Sequence, residues 1–547
     1  MTFFAQYAIC YILAAVPMLY MEIAMGQYSS ASPWGIYQML CPAMSGVPAV
    51  MGFTLVLRSI ATSVWIAQFL ALSGIIVSEM TGLWDTTADF INCKDSCYDH
   101  RLALRCTFVM PSENETDCKP FLQSLLYTRG DDRRSTPLVF LMEAVLREAQ
   151  LGASDSIIPD TSLLLALVVT WAVTGLTSVL GLRFFSKFAY VIVALAVAVS
   201  VMLLTVAITM GDIARAVRRI STPHFNLLGS YEDWLTAAGQ ALITLNVSTG
   251  GMIKLASARG FRFPIFRDVG VVAVCMILYH AVILLAIFGM AETYADELYL
   301  FEDQQNRFDL LDLETFMPMA IVAEVMFDYD FGLPLTSLQF ITQAVIPLPV
   351  MMIDIWVIVS MLWEKYTTSF GQEPRKLHEM LALVTICTCG FIISFLFIIP
   401  GRFWLMDVVS RAIKNAILFL GFLQLVTVAY IYGFRRFTVN IRTMVAGRGP
   451  LNVFWWLNWI VSSPFLHVAC LIAGFLKFSD VQKYIWLLVF VLFTLIWIPL
   501  NFVFKNIERQ KICEPVQALF RPRKDWGPMN KKNRDSALRM ERAQRVR

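Results

Sequence analysis

Long apolar stretches, repeated from one end of the chain to the other, leave it few ways to fold. A helix needs about 20 apolar residues to cross the hydrocarbon of a bilayer. Stretches of that kind run near Phe4–Ile23, Val47–Ile76, Leu163–Leu180, Phe185–Ile208, Trp234–Ala256 and Val269–Ala291. Others follow near Ser337–Leu362, Met380–Ile399, Leu405–Tyr432, Val453–Phe475 and Tyr484–Phe504. These segments are apolar all round, without the polar face that a helix on a soluble domain would show. With 57% hydrophobic and 16% charged residues, the chain reads as an all-α polytopic membrane protein of about eleven spans. Residues 1–504 form the membrane domain and 505–547 a basic tail. The first stretch has no basic leader and no small-residue cleavage site, so it is expected to remain as a span.

Lys and Arg are enriched on the cytosolic side of membrane proteins. They concentrate in Arg259–Arg267, Glu364–Lys376, Gly433–Arg448 and after Lys505. The intervening loops are acidic or neutral, most clearly 292–335, with Asp296, Glu297, Glu302, Asp303, Asp309, Asp312 and Glu314. The tail is therefore expected in the cytosol and the amino terminus outside. Arg215, Arg218 and Arg219 break the pattern, and an amphipathic stretch lying on the membrane surface accounts for them. The long loop 79–161 falls outside. It carries Cys93, Cys97, Cys106 and Cys118 and the acceptor triplet Asn114-Glu115-Thr116, so disulfides and a glycan on Asn114 are expected there, with free thiols as the alternative. The triplet at Asn246 lies inside a span and is not expected to be glycosylated.

Enzyme and nucleotide-binding signatures are missing from the sequence. The histidines at 100, 224, 280, 378 and 467 have no metal-ligand spacing, and no lysine follows a phosphate-loop glycine pattern. The tail residues Arg521, Arg523, Lys524, Lys531 and Lys532 suit anionic lipid or a solvated terminus rather than nucleic acid.

Ordered blocks give a more specific reading. They comprise Val16-Pro17-Met18-Leu19-Tyr20-Met21-Glu22 through Gly26-Gln27-Tyr28, Phe185-Ser186-Lys187-Phe188-Ala189-Tyr190, and Trp234–Ser257 with Gln240, Leu245, Val247, Gly250 and Ile253. Arg267-Asp268, Tyr432-Gly433 with Arg436-Phe437, a Trp-rich penultimate span and Arg521–Pro528 follow in order. Together they resemble the neurotransmitter:sodium symporter family. That resemblance implies a plasma-membrane transporter of amines, amino acids or osmolytes. It also implies an inverted repeat of five plus five helices with two more at the end, and a site at the bilayer midplane where two helices are broken. The sequence opens where the family's second helix begins, so the first broken helix is expected to be absent. Cys97 and Cys106 match the family's external disulfide.

The second broken helix is the Trp234–Ala256 span. The family carries glycines at its break, whereas Asn246 and Ser248 stand at two of those positions and Thr249 replaces a common aromatic. Thr244, Asn246, Ser248, Thr249 and Gly250 would line a small polar substrate cavity; alternatively their side chains bond neighbouring backbone and no ligand binds. Tyr7, Gln240 and Thr244 match a chloride-type site. Sodium needs oxygen ligands, yet Leu348 and Pro349 occupy the family's Asp-Ser pair, and Val269–Ala291 offers only Tyr279 and His280 as polar groups. Sodium coupling is therefore doubtful.

Trp65 and Ile66 stand in place of paired tyrosines. Arg58, near the start of its span, is expected to snorkel to the interface, with an anionic substrate or Asp354 as other partners. Pro347 and Pro349 should interrupt the Ser337–Leu362 span. A sodium-coupled symporter-like transporter and a non-transporting homologue that binds membrane partners both fit these residues. A membrane enzyme does not.

Overall fold

The computed structural model describes residues 2–81, 97–98, 134–135, 159–221, 231–298, 322–323, 325–326, 331–370, 376–400, 403–445, 452–475, 496, 498–507 and 516–545. Cys93, Cys106, Asn114 and Cys118 lie outside these residues. Of Cys97 only the backbone is described, in a two-residue strand paired in parallel with Arg134–Ser135.

Among the described residues, nine helical segments are long and apolar enough to cross a membrane. Two of the expected spans are not among these nine. The Trp234–Ala256 span is split into two short helices, and most of Tyr484–Phe504 lies outside the described residues.

The first span is α1 (Thr2–Cys10) and α2 (Val16–Ser29), joined by a wide turn of π-helix at Tyr11–Ala15 just before Pro17. A proline has no N–H to return to the preceding turn, which favours such a bulge. α3 (Pro33–Leu40) is a short helix starting at a proline. Its first turn is capped from far away: Glu364 accepts hydrogen bonds from the Ser32 N–H (2.7 Å), the Ser32 hydroxyl (2.6 Å) and the Gly35 N–H (2.8 Å). A carboxylate on exposed N–H groups at a helix start is favourable.

α4 (Val47–Thr81) is the central strut. Around it pack α5 (Thr161–Val179), α11 (Gly332–Val345), α12 (Leu348–Phe370) and α14 (Phe403–Leu425). Between α5 and α11 the chain forms α6 (Gly181–Thr209), α7 (Ile213–Ser221), α8 (Tyr231–Thr244), α9 (Gly251–Ser257) and α10 (Ile265–Leu298). α13 (Lys376–Phe395) packs on α5, where Ser394 Oγ meets Ser63 Oγ at 2.9 Å and accepts from Trp171 Nε1 at 3.2 Å. α7 is amphipathic, with Ala216 buried against the α10 side and Arg215 and Arg218 exposed.

Arg58 does not snorkel. It is buried on α4 and makes a two-pronged ion pair with the buried Asp354 of α12, Nε to Oδ2 at 2.8 Å and Nη2 to Oδ1. Leaving a guanidinium unpaired in an apolar interior costs more than fixing both side chains, so the pairing wins over the reach to the interface.

The Ser337–Leu362 span is interrupted as its prolines require, at Ile346–Pro347 between α11 and α12. The last part of the chain contains α15 (Phe434–Met444), α16 (Val453–Leu457), α17 (Ser463–Phe475) and α18 (Lys531–Arg545). Tyr20 of α2 stacks on Trp455 (4.6 Å) and Trp459 (5.6 Å), and Trp459 Nε1 donates to the Pro17 carbonyl (2.9 Å).

The tail is not simply solvated. The Arg523 N–H donates to the Met39 carbonyl (2.8 Å), and Trp526 Nε1 donates to the Tyr432 hydroxyl (3.0 Å). Trp526 also packs on Tyr28, Leu519 is fully buried, and α18 lies on α15. An indole edge and buried leucine bury enough apolar surface to hold a basic segment against the bundle.

Candidate functional site, a broken helix held on a buried carboxylate

α8 ends at Thr244 and α9 starts at Gly251, leaving Leu245–Gly250 outside regular helix. Three of these residues take left-handed backbone: Asn246 (φ 52°), Ser248 (φ 74°) and Gly250 (φ 84°). Gly250 adopts it freely; the other two pay about 1–2 kcal/mol each for the Cβ. Such strain persists only where surrounding contacts fix it.

Those contacts come from α2 and α14. Glu22 of α2 is fully buried and accepts the Ser248 N–H at 2.8 Å. The Gly250 N–H and the Gln424 side chain lie alongside the same carboxylate. Gln424 Nε2 donates to the Ser248 carbonyl at 3.0 Å. Both backbone groups of Ser248, freed by the break, are thus taken by side chains from two other helices. α2 can come this close because of Gly26: a Cβ there would sit 2.1 Å from the Ile253 carbonyl of α9.

The side chains of the unwound segment are treated differently from its backbone. Asn246, Ser248 and Thr249 are buried, yet Asn246 Oδ1 and Nδ2, Ser248 Oγ and Thr249 Oγ1 have no hydrogen-bond partner among the described residues. They do not bond neighbouring backbone. Buried polar atoms are nearly always paired, so this concentration marks a place equipped to bind something polar. The Asn246 amide folds back towards the start of α9, near Gly251.

Thr244 lies at the end of α8, and the Tyr7 hydroxyl donates to its Oγ1 at 3.2 Å. Two of the three chloride-type candidates are therefore together. Gln240, one turn earlier, is exposed. Leu348 is buried at the start of α12, with Pro349 next to it. Neither supplies an oxygen side chain. Among the described residues, no group of three or more His, Cys, Asp or Glu side chains could hold a metal ion.

Sequence reasoning placed Glu22 in a motif without giving it a task, and it passed over His467 and Gly421. Gly421 and Gln424 share a face of α14 because they are one turn apart. His467 of α17 reaches that face from elsewhere in the sequence, and no local pattern points to it.

Comparison with known proteins agrees with this architecture. The family model described as the sodium:neurotransmitter symporter family matches residues 2–508. The chain is 25% identical over 493 residues to the sodium-dependent nutrient amino acid transporter 1 of Drosophila grimshawi, covering 88% of this chain and 72% of that protein. It is 23% identical over 573 residues to the sodium- and chloride-dependent neutral and basic amino acid transporter B(0+) of Mus musculus, covering 98% and 85%. It is also 23% identical over 492 residues to the sodium-dependent acetylcholine transporter of Caenorhabditis elegans, covering 88% and 66%. A multi-pass helical bundle, broken at a segment clasped by a buried glutamate and matched by that model over nearly its whole length, is a transporter-family protein and not an enzyme: the chain belongs to the sodium:neurotransmitter symporter family.

Proposed function

We propose that this protein is a secondary-transporter-like plasma-membrane protein that binds a small amino acid or amine at the broken helix by alternating access, with weakened dependence on sodium. The observation that carries this reading is the unwound segment 245–250. Its backbone is held by Glu22 and Gln424, while Asn246, Ser248 and Thr249 keep unpartnered polar side-chain atoms. Thr244, Asn246, Ser248, Thr249 and Gly250 line the substrate site. Tyr7 and Thr244, with Gln240 one turn earlier on α8, are the candidates for an incomplete chloride-type site. The relatives' names include amino acids and acetylcholine, which supports a small solute of that size and polarity.

The fold that goes with this reading is the five-plus-five inverted repeat with two further helices, its tail in the cytosol, and an external loop carrying a Cys97–Cys106 disulfide and a glycan on Asn114. Sodium is a co-transported substrate in such proteins. Leu348 and Pro349, with an α10 span whose polar groups are Tyr279 and His280, argue against strong coupling to it.

The test is equilibrium binding of labelled amino acids and amines to the purified chain in lipid nanodiscs, in sodium chloride and in choline chloride. Saturable binding of one solute, lost in N246A and unchanged by sodium, is the expected result. Strong sodium-dependent accumulation in vesicles would overturn the uncoupled reading. Failure of every solute to bind would favour the second reading, a non-transporting homologue that engages membrane partners, for which the same apolar positions at 348 and 349 speak.

A further inference from the structure

Ser248 faces two ways. Its backbone belongs to Glu22 and Gln424, while its hydroxyl lies against Gly421, a notch one turn from Gln424 on α14. A Cβ added at Gly421 would lie 2.7 Å from Ser248 Oγ and 2.6 Å from His467 Nε2. Two atoms that close to one point are within the span of a single bridging water molecule. Both are buried, and neither has a hydrogen-bond partner among the described residues.

The tautomer of His467 follows from its other nitrogen. Nδ1 lies 2.7 Å from the Ser463 carbonyl, an acceptor only, so Nδ1 carries the hydrogen and Nε2 presents its lone pair to the notch. A basic nitrogen, a hydroxyl and a missing side chain therefore converge beside the strained backbone of the broken helix.

We propose that His467 is a proton-binding site, wired through a water molecule and Ser248 to the unwound segment, so that protonation loosens this break. Nε2 accepts a proton from water; one N–H bond forms, and the imidazole becomes an imidazolium. The lone pair that received a hydrogen bond is replaced by a donor, which reverses the bridge to Ser248. The inference goes beyond the transport reading and does not require a substrate.

The groups around His467 limit what else could titrate. α17 packs against α14, α8 and the wide turns at Tyr11–Ala15 and Asn458–Ser462. Glu22 holds the other side of Ser248. Cys470 is one turn along α17 with Cys10 of α1 beside it, and Tyr11 donates to the Ala273 carbonyl at 2.8 Å. Lys414 lies two turns from Gly421 with its stem on Gly239 of α8, and Asp233 stands near the far end of α8. Asn458, on the remaining turn, does not ionise. Glu22 is a buried carboxylate bonded to the same segment, and a buried carboxylate can titrate in the range of an imidazole, so the variants, not the pH range, assign the change to His467.

The experiment is hydrogen exchange of the peptide containing residues 245–250, in the full chain in phosphatidylcholine nanodiscs, with times corrected for intrinsic pH dependence. Between about pH 7.5 and about pH 5.5 the wild-type segment should exchange at least about threefold faster. H467Q should abolish the acceleration, H280Q should keep it, and S248A, which leaves the imidazole in place, should also abolish it. A wild-type segment that does not accelerate, or one that accelerates equally in H467Q or S248A, overturns the proposal. S248A changes a single hydroxyl, so it decides the matter even where H467Q fails to fold.

Discussion

Between Thr244 and Gly251 a helix is broken by left-handed residues, and between Val345 and Leu348 another is broken by proline. The first break is surrounded by polar groups from three helices: Glu22, Gln424 and His467. The second has Leu348 and Pro349 at its lip, and its helical bonds resume at once, with the Ile346 N–H on the Thr342 carbonyl (3.0 Å) and the Met351 N–H on the Pro347 carbonyl (3.1 Å). Its ionic anchor, Asp354, sits two turns away and is consumed by Arg58. A break therefore makes a binding place only when its neighbours supply partners for the exposed groups and leave some side chains unsatisfied. The proline break changes the path of a helix; the left-handed break equips one.

The largest test of this contrast is the ion pair below the second break. D354A should destabilise the protein by about 3–5 kcal/mol, because it strands a buried guanidinium. R58M combined with D354L should recover most of that loss, as read by denaturant unfolding in nanodiscs. A loss below about 1 kcal/mol in D354A would mean that the pair is solvated after all.

The notch at Gly421 comes next. G421A pushes a methyl group onto both His467 Nε2 and Ser248 Oγ and should cost about 1–3 kcal/mol, while the same change at Gly74, where a Cβ meets nothing, should be neutral or slightly stabilising. Equal effects at the two positions would erase the distinction between a filled and an open side of the helix.

S248G removes the strain of φ 74° and should stabilise the fold by about 1 kcal/mol, at the expense of whatever the hydroxyl binds. A destabilising S248G would show that the hydroxyl is already satisfied in the resting protein. The smallest effect is expected from Y7F. It loses the hydrogen bond to Thr244, worth about 0.5–1.5 kcal/mol, and should lower any chloride sensitivity of solute binding.

How far the sequence carries is shown by the same two breaks. Pro347 and Pro349 announce the second one, because proline acts through its own backbone. The first is legible only through Gly250 and the family-like order of residues around it; Asn246 and Ser248 are poor witnesses to left-handed backbone, since both are common elsewhere. The spans are legible because bilayer thickness sets a length that hydropathy can find. Arg58 illustrates the opposite limit. Whether it reaches the interface or pairs with Asp354 depends on how α4 crosses α12, which one-dimensional spacing does not contain. The His467–Ser248 approach depends likewise on α14 and α17 meeting at a glycine.

The contact between Arg523 and Met39 joins two segments that are far apart in the sequence, so one is made on the ribosome long after the other. One end of the bundle therefore cannot be finished until the Arg523 segment has been made. Until the tail emerges, Tyr28 and Tyr432 lack the indole that covers them. A chain stopped short of Trp526 would insert its helices yet present an open aromatic seam, the kind of surface by which cells sort incomplete membrane proteins from complete ones.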